Sequence, residues 1–241
     1  MRLVLCQLYP EHLSIYADRG NVMVLRQRCA WRGIELVEHP LRPGEQLDAS
    51  EIDLFLLGGG QDRDQLMVAE DLQRHRASLS GAIAEGATML GVCGGYQLLG
   101  HVYRGHLGDD MRGLGLLDLE TNAGTTRMIG NVLLESDLGE GGRTIVGFEN
   151  HAGRTTLAPG LAPLGRVLSG NGNDGESGYE GARAGRVLGT YVHGPLLPKN
   201  AWLADWLIRE ALDRRYGRVE LEPLDDELEK RAHTAAARML S

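Results

Sequence analysis

The segment that most constrains the fold runs over residues 88–100, where a short apolar run leads into a cysteine flanked by glycines. Residues 88–92 are typical of a buried strand, and residues 96–102 have the spacing of a helix. Between them, Gly91-Val92-Cys93-Gly94-Gly95 has the Gly-x-nucleophile-x-Gly spacing of a sharp strand-to-helix turn, with Cys in place of Ser. The sequence therefore predicts a nucleophile elbow in an α/β fold.

The elbow gives Cys93 a chemical environment that differs from that of the other two cysteines. A nucleophile on such a turn is strained, so small residues are needed two positions before and two after it to let the backbones approach. The N–H groups at the start of the following helix favour a thiolate. Cys6 and Cys29 lie in apolar patterns that suit buried structural thiols. We therefore interpret Cys93 as a reactive nucleophile.

Strand and helix patterns alternate along the first hundred residues, which favours a mostly parallel sheet with helices on both faces. The predicted strands are 3–7, 34–38, 52–57 and 88–92, and the predicted helices are 22–33, 62–85 and 96–102. After Gly105 the pattern changes to short strands separated by Gly and Asn, and some of these are expected to be antiparallel. They are 116–120, 128–134, 144–148, 166–168 and 186–192, followed by helices at 200–216 and 225–240.

Composition narrows the class of protein. The 241 residues are 42% apolar, enough for one sizeable core, so a single domain over 1–241 is expected, with a helical tail from about residue 223. The net charge of −8, without long runs of one sign, argues against a nucleic-acid partner. The chain contains no apolar run long enough for a membrane span and no evident signal peptide, so a cytoplasmic protein without membrane insertion is expected.

A histidine and a glycine run are the candidate partners of Cys93. His193 ends an apolar strand and is followed by Gly194 and Pro195, which places it at the carboxyl edge of the sheet, where open α/β sheets bind ligands. It is a candidate general base, although a strand-end His is also often structural. Residues 58–60 are three glycines after another strand, so the N–H of Gly59 or Gly60 could join that of Gly94 in an oxyanion hole. A plain glycine turn is the alternative.

The sequence has no phosphate-binding loop and no dinucleotide signature, so nucleotide activation is expected elsewhere. The Cys93 elbow, residues 58–60, His193 and the Cys-x-x-x-Gln step to Gln97 resemble class I glutamine amidotransferases. The stretches 93–97, 147–153 and 191–195 resemble the CobB/CobQ-like branch. Two further stretches, 15–21 and 127–131, are similar to the short GatD-type chains of that branch.

The resemblance implies a flavodoxin-like fold and a role for each matching residue. Cys93 would be the nucleophile, His193 the general base and acid, Gly59 and Gly94 the oxyanion donors, and Gln97 and Arg127 glutamine-site residues. For Arg127 there is also a chemical reason, because a carboxylate favours a forked guanidinium, although an Arg at a strand start is often only a surface residue. No metal site is expected.

The resemblance also implies a partner. GatD-type chains are glutaminase subunits that pair with a Mur-ligase-like subunit, MurT, to amidate the D-glutamate of lipid II. The expectation is therefore a heterodimer with L-glutamine as its substrate. No cofactor is expected in this chain, and ATP and Mg are expected on the partner, which also reaches the lipid-linked acceptor. The open alternatives are a stand-alone cysteine hydrolase of the γ-glutamyl peptidase kind, an amidotransferase subunit for another acceptor such as a cobyrinate-type corrinoid, and a catalytically silent scaffold.

One departure concerns the group that orients His193. Most class I amidotransferases have His-Pro-Glu, whereas this chain reads His193-Gly194-Pro195. The base would then be oriented by another carboxylate, by water or by the partner subunit. Asp18, Glu149 and His151 are polar residues in motif-like stretches and receive no role from the sequence.

Overall fold

Two six-stranded sheets form the framework of the computed structural model, which describes residues 1–14, 18–106, 108, 110–139 and 141–240. The motif-like stretch 15–21 is therefore described only from residue 18, and its first three residues lie outside the described residues. The strands are β1 (Arg2–Leu8), β2 (Glu35–Leu41), β3 (Leu54–Leu57), β4 (Thr88–Val92), β5 (Val102–Arg104), β6 (Met111–Arg112), β7 (Leu119–Ser136), β8 (Arg143–Leu157), β9 (Gly165–Ser169), β10 (Tyr179–Glu180), β11 (Ala182–Ala184) and β12 (Val187–Thr190). The helices are α1 (Asp18–Trp31), α2 (Asp62–Arg74), α3 (Arg76–Ala84), α4 (Gly94–Leu99), α5 (Leu196–Lys199), α6 (Ala201–Tyr216) and α7 (Glu227–Arg238).

The first sheet has the order β11-β12-β4-β3-β1-β2 and is parallel except for β11. Every residue of β3, β4 and β12 is buried, as expected for central strands covered on both faces. The predicted mostly parallel sheet is confirmed. Because β4 lies between β3 and β12, the carboxyl ends of these three strands meet at one edge.

Most of the antiparallel pairing lies in a second sheet, although β11 adds one antiparallel strand to the first. The order of the second sheet is β10-β9-β7-β5-β6, with β8 also pairing with β7. The predicted strands 116–120 and 128–134 are two parts of β7, which pairs with β8 over most of its length and shifts register between Ala123 and Met128. Pairing with β8 keeps β7 one continuous strand, although the composition of the segment between the two predicted strands indicates a break.

Two predicted helices have different bounds in the structure. The helix predicted over 62–85 is divided at His75 into α2 and α3. The His75 N–H donates to the Leu72 carbonyl and closes α2, and the His75 carbonyl accepts from the Leu79 N–H of α3. Neither Gly nor Pro marks this break. The helix predicted over 96–102 occupies Gly94–Leu99, because Val102 already pairs with Glu120 of β7.

The C-terminal segment is fixed to the first helix by charge. Arg28 of α1 is almost completely buried, and its guanidinium binds Asp205 of α6 at 2.6 Å and Asp226, just before α7, at 2.8 Å. Burial opposes charge on Arg28, but its two carboxylate partners raise the pKa of the guanidinium above its usual value. The assignment of residues 1–241 to one domain stays a prediction. Among the helices of the described ranges, none has the length and apolar character needed to cross a bilayer.

Candidate active site

Cys93 stands at the turn from β4 into α4 with a backbone that non-glycine residues rarely adopt. Its φ is 52° and its ψ is −109°, which costs on the order of 1–3 kcal/mol. A Cβ at Gly95 would overlap the carbonyl oxygen of Leu57, and one at Gly91 would lie 2.6 Å from Cδ1 of Leu99. The glycines on either side of Cys93 are therefore required by the close approach of strand and helix, as the spacing predicted.

The three glycines after β3 are bonded to the start of α4. The Gly95 N–H donates to the Gly58 carbonyl at 3.0 Å, which brings residues 58–60 beside the elbow. Because Gly95 uses its N–H in this way, Gly94 is the better placed of the two to donate to a ligand at Cys93, since a first-turn N–H has no partner within its own helix. The structure brings the segments of Gly59 and Gly94 together, and their roles as oxyanion donors stay predictions.

His193 is brought to the same edge by the parallel pairing of β12 with β4. Thr190 lies opposite Val92, and the Cys93 N–H donates to the Thr190 carbonyl at 2.8 Å. Three residues beyond Thr190, the backbone of His193 exchanges two hydrogen bonds with Phe148 of β8, at 2.9 and 3.1 Å. His193 is thus held between the two sheets, and its side chain is buried.

The environment of His193 keeps its imidazole neutral near pH 7. Burial is the main cause that lowers the pKa of His193 to about 4, and electrostatic interactions with His151, Lys199 and Arg127 act in the same direction. A hydrogen bond to the backbone of Asn150 has the opposite, smaller effect. This bond gives the ring an orienting partner in place of the glutamate that is missing from the His-Gly-Pro sequence. A neutral, oriented imidazole is the form that a general base needs.

A cavity of about 530 Å³ opens beside Cys93. Its wall is formed by the segment after β3, the start of α2, the elbow, α4, and strands β5, β7 and β8 of the second sheet: Gly60, Gln61, Asp62, Arg63, Gln65, Cys93, Gln97, Tyr103, Arg127, Asn150, His151, Ala152 and Gly153. The wall therefore includes Cys93, Gln97 and Arg127 of the sequence-predicted site, whereas Gly59, Gly94 and His193 are not part of it. The volume and the mixed charges suit a small zwitterionic ligand.

Arg127 is held in place at this wall by β8. Its Nε donates to Asn150 Oδ1 at 2.9 Å and its Nη2 to the Asn150 carbonyl at 3.0 Å. Arg127 lies where β7 resumes its pairing with β8 after the register shift. The guanidinium is therefore fixed at the cavity, although the residue is exposed, which suits recognition of a carboxylate.

Gln97 belongs to a buried network that joins α4 to β8 and to the segment after β12. Its Nε2 donates to the Tyr191 hydroxyl at 3.2 Å, and that hydroxyl lies 2.7 Å from Thr155 Oγ1. The Tyr191 ring stacks on His151 with centroids 3.6 Å apart. Gln97 therefore has one fixed orientation at the cavity wall.

The sequence singled out two polar residues of the site, Glu149 and His151, without a role for either. His151 lines the cavity, with its Nδ1 donating to the Gly153 carbonyl at 2.9 Å and its Nε2 at 3.9 Å from Glu149 Oε2. Burial opposes ionisation of Glu149, but the nearby His151 and hydrogen bonds from Asn171 and Gly172 hold its pKa below the usual value. The 147–153 stretch was the only signal for these residues, and it carried no role. Gln65 had no signal at all.

The other two thiols are structural. Cys6 and Cys29 are completely buried, and burial raises the pKa of each to about 12. Both are therefore protonated at neutral pH and are poor nucleophiles. Neither belongs to the cavity wall beside Cys93.

Comparisons with known proteins identify the family of this chain. The model of the CobB/CobQ-like glutamine amidotransferase domain matches residues 4–201. A subunit of Staphylococcus aureus named lipid II isoglutaminyl synthase (glutamine-hydrolyzing) subunit GatD is 39% identical over 95% of this chain and 93% of its own length. A Streptococcus pneumoniae protein of the same name is 35% identical over 93% of this chain and 86% of its own.

More distant similarities agree with the fold. Cobyric acid synthase of Pelotomaculum thermopropionicum is 33% identical over 64% of this chain, which corresponds to 31% of that longer protein. Among solved structures, one described as PurLQS from Thermotoga maritima superimposes with a TM-score of 0.59 at 18% identity, over 88% of this chain and 99% of that one. A second, described as a glutamine amidotransferase, has a TM-score of 0.54 at 16% identity, over 86% of this chain and 98% of its own. On the extent of the family match and the identity to its relatives, this chain belongs to the CobB/CobQ-like glutamine amidotransferase family.

Proposed function

We propose that this chain is a glutaminase subunit that hydrolyses L-glutamine through a glutamyl thioester on Cys93 and supplies ammonia to an ATP-dependent ligase. The observation that carries this proposal is the position of Cys93, in a strained turn and at the wall of a polar cavity that also contains Arg127. Strained backbone at a reactive side chain is characteristic of functional sites.

In the first half of the proposed reaction, Cys93 attacks the side-chain carboxamide carbon of glutamine. Arg127 binds the α-carboxylate, and His193 takes the thiol proton, which its neutral imidazole permits. The N–H groups of Gly94 and Gly59 stabilise the oxyanion of the tetrahedral intermediate. When that intermediate collapses, the carbon–nitrogen bond breaks, and the nitrogen takes the proton from His193 and leaves as ammonia.

In the second half, water replaces the thiolate. His193 removes a proton from water, the hydroxide adds to the thioester carbon, and the carbon–sulfur bond breaks to give glutamate and the Cys93 thiolate. Hydrolysis needs neither a metal nor a nucleotide in this scheme. Amide synthesis on an acceptor does require an activated carboxylate, so we place ATP and Mg on a partner subunit.

The identity of the partner is the finer part of the proposal. The two GatD relatives are named as subunits of a glutamine-hydrolysing lipid II isoglutaminyl synthase, and each is covered by this chain over most of its length. This supports a heterodimer with a MurT-like Mur ligase that amidates the D-glutamate of lipid II. The cobyric acid synthases, by contrast, are matched over only about a third of their length.

The nucleophile is tested by replacing Cys93 with Ala and Cys6 with Ala as the matched control. Cys93→Ala should abolish ammonia release from glutamine without loss of folding, because the thiol supplies chemistry and little packing. Cys6→Ala should retain activity and act, if at all, on stability. Ammonia release at the wild-type rate by Cys93→Ala would refute the assignment.

The partnership is tested by co-expression with a MurT-like protein, followed by size-exclusion chromatography and an amidation assay with lipid II, glutamine and ATP. We expect a heterodimer, amidated product and a glutaminase rate higher than that of the isolated chain. Full glutaminase turnover by a monomer, with no product when the partner is present, would favour a stand-alone hydrolase.

A further inference from the structure

Gln65, on the first turns of α2, forms part of the cavity wall and is 2% exposed. Its Nε2 donates to the Gly60 carbonyl at 3.3 Å. Because a carbonyl can only accept, this bond fixes which end of the amide faces residues 58–60. The other end, Oε1, is buried and has no hydrogen-bond partner among the residues that the structure describes.

The amide of Gln65 also packs against the elbow. A Cβ at Gly94 would lie 2.8 Å from both Cδ and Nε2 of Gln65, so the side chain occupies the space beside the Gly94 backbone. Gln65 thus contacts both Gly60 of the glycine segment and Gly94 of the elbow, beside Cys93. In the proposed reaction this is where the substrate carboxamide lies. Arg127, in contrast, belongs to the part of the wall formed by β7 and β8.

A buried amide oxygen without a partner is unfavourable, and a ligand N–H that reaches it removes that penalty. Glutamine has such a donor at its reacting end, the carboxamide –NH2, whereas glutamate has only acceptor oxygens there. We propose that Gln65 Oε1 accepts a hydrogen bond from the substrate carboxamide and selects glutamine over glutamate. This inference rests on the proposed glutaminase function and assigns a further specificity-determining residue to its site.

The proposal has a consequence for the product. Once ammonia has left and water has added, the side chain of glutamate places a carboxylate oxygen near Gln65 Oε1. Two acceptors repel each other, so Gln65 weakens the binding of glutamate relative to glutamine. The same residue then favours substrate entry and product release.

The test compares two substrates of the purified 241-residue chain, L-glutamine and L-glutamate γ-methyl ester. The ester reacts through the same thioester but has no N–H at the reacting end. The variant is Gln65→Met, which keeps the shape and removes both polar atoms. The matched control is Gln73→Met on the same helix, whose amide bonds the Arg112 and Gly113 carbonyls and not the cavity.

We expect Gln65→Met to lower the ratio of kcat/KM for glutamine to kcat/KM for the ester by about 10-fold or more. Loss of the bond to Gly60 lowers both rates alike, whereas only the amide substrate also loses its hydrogen bond to Oε1. Inhibition by L-glutamate should become stronger relative to glutamine binding. Gln73→Met should change neither ratio. An equal fall for both substrates, or no change for either, would overturn the proposal.

A second variant separates specificity from support of the glycine segment. Gln65→Glu keeps an acceptor but loses the donor to Gly60, so both rates should fall while the preference for amide over ester remains. Loss of the preference in Gln65→Glu would count against the acceptor role. If the wild-type chain hydrolyses neither substrate, the proposed function itself fails, whereas wild-type turnover with an unchanged ratio in Gln65→Met refutes only this inference.

Discussion

Replacing Glu180 with Gln should change how the stability of the protein depends on pH. Glu180 of β10 is completely buried. Its carboxyl group accepts hydrogen bonds from Thr190 Oγ1 at 2.9 Å and from the Tyr191 N–H at 2.6 Å. These residues lead directly to His193, so Glu180 connects the second sheet to the end of the strand that carries the candidate base.

The magnitude follows from the pKa of this carboxyl. Burial is the main cause that raises the pKa of Glu180 from 4.5 to about 8, although the hydrogen bonds from Tyr191 and Thr190 oppose the shift. The unfolded chain loses this proton above pH 4.5, and the folded chain keeps it until about pH 8. The contribution of Glu180 to stability is therefore fully present below pH 4.5 and is lost as the pH rises to about 8. At about 1.4 kcal/mol per pH unit, roughly 3 kcal/mol is lost by pH 7.

A Gln whose amide oxygen takes the place of Oε1 still accepts from the Tyr191 N–H and lies within reach of Thr190 Oγ1, which is 3.1 Å from Oε1, and it does not ionise. Between pH 4.5 and 7, wild type should therefore lose about 3 kcal/mol of unfolding free energy relative to Glu180→Gln. The difference between the two proteins should stop changing above pH 8. Urea denaturation across this range measures it, because other titrating groups cancel in the difference. The exposed Glu135, changed to Gln in the same way, is the control. A difference for Glu180→Gln that does not vary with pH would refute the reasoning.

Three further predictions concern catalysis, binding and stability. His193→Ala should lower the glutaminase rate by roughly 10²–10⁴-fold, whereas the control His39→Ala, on the edge strand β2, should keep it. The acid limb of the wild-type pH–rate profile should lie near pH 4, because the base is neutral above its lowered pKa. An acid limb near pH 6.5 would contradict this. Arg127→Lys should raise KM for glutamine about 10-fold with little effect on kcat, because Lys keeps the charge but loses the forked guanidinium. An unchanged KM in steady-state kinetics would exclude Arg127 from the binding site. Arg28→Met should lower the free energy of unfolding by about 3–5 kcal/mol, because it leaves two carboxylates without their shared cation; urea melts that coincide with wild type would disprove this.

Much of the fold and part of the site could be predicted because their signals are local. The strand at 88–92 and the turn at Cys93 are encoded by an apolar run and by glycines at fixed spacing, and the structure confirms both. The resemblance to a known family contributed Gln97 and Arg127, whose side chains do line the cavity. Their roles remain predictions, as do those of His193, Gly59 and Gly94.

Other features have no local signal. Nothing in the spacing of residues 62–85 marks the break at His75. Nothing in residues 116–134 indicates one continuous strand, because the continuity of β7 depends on its pairing with β8. Gln65 has the appearance of an ordinary polar position on a helix until the backbones of Gly60 and Gly94 close around it. Packing between segments therefore determined where these elements end and which side chains reach the site.

The sequence by itself determined the type of fold and the position of the elbow cysteine, since hydrophobic period and glycine spacing act over a few residues. Only the tertiary structure decided the state of the candidate base. The pKa of His193 depends on its burial between two sheets and on charges from three other segments, and its orientation depends on the backbone of Asn150. Desolvation and Coulomb interactions act through space, so their effect on a residue is set by neighbours that the chain brings together only when it folds.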